Sequence, residues 1–317
     1  MPYVIIGIAV LFFAVTISVL YYFTKTNFSR GDGVYNIEDV LSDRPDLMKK
    51  LDEGRSKMRS IPYEEMQIIS FDGLKLVGQF YKAKEDMGRY LICMHGYRSS
   101  PEDFMCALPQ FLSLGYNVLL VNQRSHGKSE GKWITFGVKE KRDCISWCNH
   151  LIKTFGEDIK VVFDGLSMGA STVLMASSEP DVPKNVVGIM ADCGFSSPFE
   201  IIAQVAKKDM HIPKFPLLYL MIPAVKLWAG FSLTECSTVK SVKKTSLPIL
   251  YIHGKDDDFV PHEMSLEAYN ARPENSTIFI APGAKHGLSY LVDTEGCSKA
   301  CEDFLLSVVK DKSKTNE

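Results

Sequence analysis

The sequence predicts an α/β protein: a mostly parallel, eight-stranded sheet flanked by helices on both faces, with a helical insertion and an N-terminal transmembrane helix. Three observations carry this expectation. From Glu65 onward, short β-branched or apolar runs alternate with longer amphipathic stretches, the pattern of interleaved strands and helices. A Gly-x-Ser-x-Gly pentapeptide joins one such run to a helix-compatible stretch, as in a strand-turn-helix elbow. No charged residue occurs from Tyr3 to Phe23.

The apolar run comes first in the chain. In hydrocarbon each backbone amide must be satisfied within its own segment, so an uncharged stretch of this length reads as a membrane-spanning helix. A cleaved signal peptide would need a positive leading region and a small-x-small cleavage site, and residues 1–23 offer neither. An uncleaved single-pass anchor over residues 1–23 is therefore expected. Lys25 and Arg30 follow the helix and none precedes it, so the domain after it is expected on the cytoplasmic side of a cell membrane.

Residues 24–60 mix charges with spaced apolar positions (Leu41, Leu47, Leu51) and suggest a helical juxtamembrane stalk. A domain over 61–312 and a short tail over 313–317 complete the chain. The 317 residues are 46% hydrophobic and 23% charged, which suits one large core. A formal charge of -2 and a pI near 6.4, without any Lys/Arg block, argue against nucleic acid as a partner.

The predicted strands are 66–70, 76–81, 90–94, 118–121, 161–163, 186–190, 249–252 and 277–280, with Phe71-Asp72-Gly73 as a hairpin turn between the first two. Helical patterns fall at 135–155, 168–178, 261–272 and 297–310. Residues 198–244 are too long for a plain connection. Their apolar segment Phe215-Phe231 is read as a lid supplying an acyl pocket, against the alternative of an added core layer. The eight cysteines lack the spacing of a disulfide scaffold, which fits a reducing location. Cys144 with Cys148, and Cys297 with Cys301, share helix faces and are assigned to packing, since no zinc-type ligand spacing accompanies them.

The chemistry centres on Gly165-Leu166-Ser167-Met168-Gly169. A sharp turn strains the serine backbone and requires small flanking residues. It also aims the Met168 amide at the site as one oxyanion donor. A serine hydroxyl needs a base, and the last histidine, His286, sits on a Gly-flanked loop after the final strand. That gives the chain order Ser, Asp, His, with His286 as general base. His95-Gly96-Tyr97 ends a strand, so the Tyr97 amide is the second oxyanion donor and His95 a structural hydrogen-bonder. One of Asp256, Asp257 and Asp258, at the end of another strand, orients the imidazole. The run lacks the spacing of an EF-hand loop, so no metal is expected.

With these motifs in order, residues 65–310 resemble the α/β-hydrolase superfamily. The likeness is greatest to its bacterial branch related to serine aminopeptidases, cinnamoyl esterases and prolyl-oligopeptidase-type domains. In that branch an H-G-x-x-D-x-x-V-P signature carries the triad acid, and laid on His253 to Pro261 it selects Asp257. Asn122 to Ser129 resembles the D-x-R-G-H-G-x-S turn, with Asn122 for Asp and Ser125 for Gly. The resemblance implies a cofactor-free hydrolase with an acyl-enzyme on Ser167. The expected substrate is a small or medium acyl ester, lipid-derived given the anchor and the apolar segment. The rivals are a serine peptidase, with Glu200 or Asp209 holding a substrate amine, and an inactive membrane-tethered binding module.

Overall fold

A computed structural model describes residues 1–31 and 37–309. The 313–317 tail, the end of the 61–312 domain and a short piece of the 24–60 segment lie outside the described residues. The strands are β1 (Glu64–Ile69), β2 (Lys75–Tyr81), β3 (Arg89–Met94), β4 (Tyr116–Asn122), β5 (Lys160–Leu166), β6 (Val186–Asp192), β7 (Ile249–Gly254) and β8 (Ser276–Ala281). They form one sheet in the order β1-β2-β4-β3-β5-β6-β7-β8. β2 runs antiparallel to both β1 and β4, and the other pairs are parallel. Each predicted strand falls on one of these. β5 runs on through Asp164 and Gly165, where the apolar pattern stops, because the Asp164 carboxyl is itself buried beside Cys93.

The helices, in chain order, are α1 (Pro2–Phe28), α2 (Ile37–Val40), α3 (Pro45–Ser60), α4 (Leu108–Ser113), α5 (Glu140–Phe155), α6 (Met168–Ala176), α7 (Pro198–Met210), α8 (Tyr219–Ala229), α9 (Thr238–Val242), α10 (Glu263–Ala271), α11 (Ser289–Val292) and α12 (Thr294–Val309). Both sheet faces are covered, as parallel strands require. On one face Cys144, Trp147 and Cys148 of α5 pack with Val173 of α6. On the other, Cys297 and Cys301 of α12 pack with Leu108 and Phe111 of α4. Both cysteine pairs are thus core residues. α5 begins later than the expected residue 135, because the buried Glu140 carboxylate turns back to accept from the Thr135 and Gly137 amides at 2.8 and 2.9 Å.

Two departures concern the N-terminal third. The expected stalk over 24–60 does not stand apart from the domain. Leu41, Leu47, Leu51 and Met58 are buried against Leu91, Phe104 and Leu108, so the spaced apolar positions that suggested a stalk are the inner stripe of a packed layer. The apolar helix also runs five residues past Phe23, to Phe28. Phe28 is fully buried between Phe136 and Phe231, with ring centroids 5.4 and 5.6 Å away. Beyond it the Ile134 amide donates to the Phe28 carbonyl at 2.6 Å, and the Arg30 amide to that of Lys132 at 2.8 Å. α1 is long and apolar enough to cross a membrane.

The 198–244 insertion lies over the end of β5 and the start of α6. Met221 and Val225 of α8 share a buried cluster with Met168, Leu20 and Phe28. Hence α1 and the insertion together cover the elbow.

A packed α3 and a free stalk differ in energetics. Leu51 is fully buried, so Leu51→Ala is expected to cost about 2–5 kcal/mol in thermal or chemical denaturation of the detergent-solubilised protein. A neutral effect would return these residues to a stalk.

Candidate active site

The elbow is set by two glycines and strand ends that leave no room. A Cβ on Gly165 would lie 2.3 Å from the Gly169 carbonyl, and one on Gly169 would lie 1.7 Å from the Met94 carbonyl oxygen. Between them Ser167 takes φ 57° and ψ -113°, a region costing roughly 1–3 kcal/mol for a side chain with Cβ. The turn lifts Ser167 Oγ clear of the sheet edge, where it meets His286 Nε2 at 2.8 Å.

His286 Nδ1 in turn donates to Asp257 Oδ2 at 2.7 Å. Of the three neighbouring aspartates only Asp257 is buried; Asp256 is exposed, and Asp258 pairs with Lys208 at 3.1 Å. The other Asp257 oxygen accepts from the Phe259 and Val260 amides at 3.0 and 2.8 Å. Burial alone would raise its pKa, but the hydrogen bonds from His253 and His286 outweigh burial and hold the carboxyl well below the usual range. An ionised Asp257 fixes the proton of His286 on Nδ1 and leaves Nε2 as the acceptor facing serine.

His253 is a participant to which sequence reasoning assigned no role. Its Nε2–H is shared between Asp257 Oδ2 at 3.1 Å and the Val260 carbonyl at 2.8 Å. Its Nδ1 faces Ser265 Oγ at 2.7 Å. Since a carbonyl only accepts, Nε2 carries the proton, and the acid is held by two imidazoles. The histidine of the His253-to-Pro261 signature was the available signal.

The 95–98 turn approaches from β3. A Cβ on Gly96 would lie 3.6 Å from the Ser167 Cβ, and the Tyr97 and Met168 amides make no hydrogen bond to other described residues. Two fully or nearly buried histidines shape this turn. His95 Nδ1 donates to the Gly96 carbonyl at 2.7 Å, and its Nε2 accepts from the Gln123 amide at 3.1 Å. His126 Nε2 accepts from the Arg98 amide at 3.0 Å, with Nδ1 donating to the Arg124 carbonyl at 2.9 Å. Both accept, so both are neutral. Burial lowers His95 to about 4, and burial together with His95 lowers His126 to about 3. In the same loop Ser125 has φ 65°, the conformation for which the related motif carries glycine. Its hydroxyl compensates by donating to the Trp133 carbonyl at 2.9 Å.

Two cavities meet at Ser167. One, of about 100 Å³, is walled by Phe23, Phe136, Phe195, Ile201, Val205 and Val260. The other, of about 290 Å³, is edged by polar groups including Arg55, Ser99, Glu102 and Asp103. Glu200 and Asp209 line neither; Glu200 pairs with Lys214 at 2.7 Å, and Asp209 is exposed. Glu102 is drawn toward Arg55 and Arg59, at 3.9 and 3.1 Å. Asp103 accepts from the Gly96 amide at 2.8 Å.

Cys193, buried with φ 50°, brings its sulfur to within 4.8 Å of ligand atoms of Asp257 and His286. Burial pushes this thiol well up, with Asp192 and Asp257 adding to the shift. With the thiol protonated and the Asp257–His286 hydrogen bond intact, the trio is suited to packing rather than to ligating a cation. Beneath it, burial raises Asp192 to about 6, and burial with Asp192 raises Asp164 to about 8.

This sheet order and its covering helices are the α/β-hydrolase fold. The esterase Pf2001 of Pyrococcus furiosus matches with a TM-score of 0.66 at 26% identity, over 80% of this chain and 94% of that one. The uncharacterized protein YqkD of Bacillus subtilis is 27% identical over 269 residues, 83% of this chain and 87% of that protein. The uncharacterized membrane protein YNL320W of Saccharomyces cerevisiae is 26% identical over 253 residues, 78% and 81% of the two chains. No protein-family model matches the chain.

The neutral histidines give a pH prediction. Between the ordinary histidine pKa near 6.5 and the folded value near 3, the unfolded chain takes up a proton on His126 that the folded chain does not. This contribution to stability is therefore complete above about pH 6.5 and declines as pH falls toward the folded value. Asp164 and Asp192 act in the opposite sense but equally in wild type and variant. His126→Gln, which does not titrate, is expected to lose on the order of 2 kcal/mol less stability than wild type between pH 7 and about 4.5. Denaturation curves at a series of pH values measure the difference, and parallel slopes would contradict it.

Proposed function

We propose that the protein is a membrane-anchored serine hydrolase that cleaves a carboxylic ester through an acyl-enzyme on Ser167. The observation that carries the reading is the continuous relay from Ser167 Oγ to His286 to Asp257, at 2.8 and 2.7 Å, opening on an apolar cavity. The likeness to an esterase structure supports the same class.

In this reading Ser167 Oγ attacks the ester carbonyl as its proton passes to His286 Nε2. Ionised Asp257 stabilises the resulting imidazolium. The tetrahedral oxyanion accepts from the Tyr97 and Met168 amides, each worth about 3 kcal/mol when the geometry is set in advance. Collapse expels the alkoxide, which takes the proton from His286 and leaves as the alcohol. Water then repeats the sequence on the acyl-enzyme and releases the acid. The smaller, apolar cavity receives the acyl group, and the larger one, of mixed lining, receives the alcohol. Ester is favoured over peptide because each carboxylate that lines the cavities among the described residues has a partner in the protein, Asp192 accepting from Ser289 Oγ at 3.3 Å. Glu102 lies against two arginines, and Asp103 holds the oxyanion turn.

The anchor reading rests on α1, and the single cytoplasmic domain on Lys25 and Arg30, which follow the span. Added protease should leave the domain uncut in intact cells and cut it after lysis.

A fluorophosphonate probe should label the wild-type chain and not Ser167→Ala. Turnover of p-nitrophenyl esters should fall at least ~10⁴-fold in that variant. Undiminished labelling, or faster turnover of aminoacyl anilides than of esters, would overturn the assignment.

A further inference from the structure

Part of the wall of the apolar cavity belongs to α1, which supplies Phe23 and Asn27. Phe23 of α1 lines the cavity at Ser167 and also an apolar seam between α1 and the insertion, a crevice closed in this structure, shared with Val19, Leu20, Leu217, Leu218 and Met221. Phe23 is the residue that the two linings have in common. The cavity as formed holds about 100 Å³. An apolar cavity of about 150 Å³ just accommodates a benzene ring, so a chain longer than about four carbons must extend beyond this cavity.

Depth follows from the span. Tyr3 to Phe23 is 21 residues, about 31 Å of helix, equal to the hydrocarbon thickness of a bilayer. Val19 to Phe23 then occupy the last few ångströms of the leaflet next to the domain. Tyr21 meets Trp228 of α8 edge to face, with centroids 5.3 Å apart, which brings α8 to the same level. Tyrosine and tryptophan are the residues that populate that boundary. The side of α8 turned away from the cluster presents Tyr219 and Leu220, with Leu227 76% exposed, and Phe215 just before it is 75% exposed. An uncovered apolar face continuous with a membrane helix is one that lipid covers.

We propose that the insertion is immersed in the leaflet beside α1, and that the substrate is a membrane-resident long-chain acyl ester. Its chain reaches Ser167 sideways, from the bilayer, through the α1–insertion crevice and past Phe23. This rests on the ester-hydrolase reading for its chemistry, while the immersion stands without it.

The test uses the full chain in phosphatidylcholine vesicles. Brominated phosphatidylcholine is expected to quench a fluorescence component that Trp228→Phe removes, whatever the activity. Identical quenching in wild type and Trp228→Phe would overturn the immersion. Val19→Trp/Leu217→Trp, which fills the crevice from outside the cavity, is expected to lower the ratio of kcat/KM for p-nitrophenyl palmitate to that for p-nitrophenyl acetate at least about tenfold. Rates are normalised to sites labelled by a short-chain fluorophosphonate, so misfolded protein is not counted. An unchanged ratio would overturn sideways access. Quenching without turnover of either ester by the wild type would instead overturn the hydrolase reading and, with it, the substrate class.

Discussion

The Met94 carbonyl lies so close to Gly169 that any Cβ there would be 1.7 Å from it, and the site is assembled around that contact. β3 and β5 are parallel neighbours with Met94 level with Gly165. Drawing α6 against both strand ends sets the Met168 amide at the helix start, and the turn that carries the Tyr97 amide follows directly on β3. The strain in Ser167 is held by packing, since every residue of α6 is buried. Relaxing the elbow would require moving a helix with no free face, which is how a structure sustains one unfavourable backbone conformation.

The oxyanion turn has a different support, made of polar groups. His95 and His126 hold it by accepting amide protons, which works only while both rings are neutral, and burial keeps them so. The loop that carries His126 is in turn fixed by Arg124. That guanidinium, 2% exposed, bonds both oxygens of Asp143 on α5 at 2.6 and 2.7 Å and both of Asp72 in the β1–β2 turn at 2.9 and 3.0 Å. Removing one partner from such a set leaves a buried charge unpaired. The hairpin turn at Asp72, distant in sequence, is thereby coupled to the position of the Tyr97 amide.

The strands and the elbow were legible because each depends on local pattern: apolar runs, a Gly-x-Ser-x-Gly turn, carboxylate and imidazole at strand ends. Asp257 was singled out among three aspartates by a resemblance, and the physical difference is burial, which a row of identical side chains does not reveal. His253 carried no role in the sequence reading, since its partner Asp257 was identified only by that signature and its ring contacts depend on the fold of the loop. The stalk was misread because an amphipathic stripe states that a helix has a partner without naming it. Leu47 and Leu51 give the same pattern whether the partner is a second helix or, as here, β3 and α4.

The continuation of the anchor into the site has a mechanical consequence. Tyr97 Oη donates to the Asn27 carbonyl at 2.7 Å, and the Arg98 guanidinium reaches the carbonyls of Thr26 and Ser29. Arg30 bonds the Ser129 carbonyl at 2.7 Å and that of Gly127, in the His126 loop. The last turn of α1 is thus fastened to the 95–98 turn and to the His126 loop, while Phe28 fills the core beneath. A flexible tether would hold the domain near a membrane at any angle and leave the cavity with one wall missing. A rigid one fixes the angle, completes the wall and gives the bilayer surface a set position relative to Ser167. In the proposed anchored reading, the orientation of Ser167 is a property of the same helix that meets the membrane.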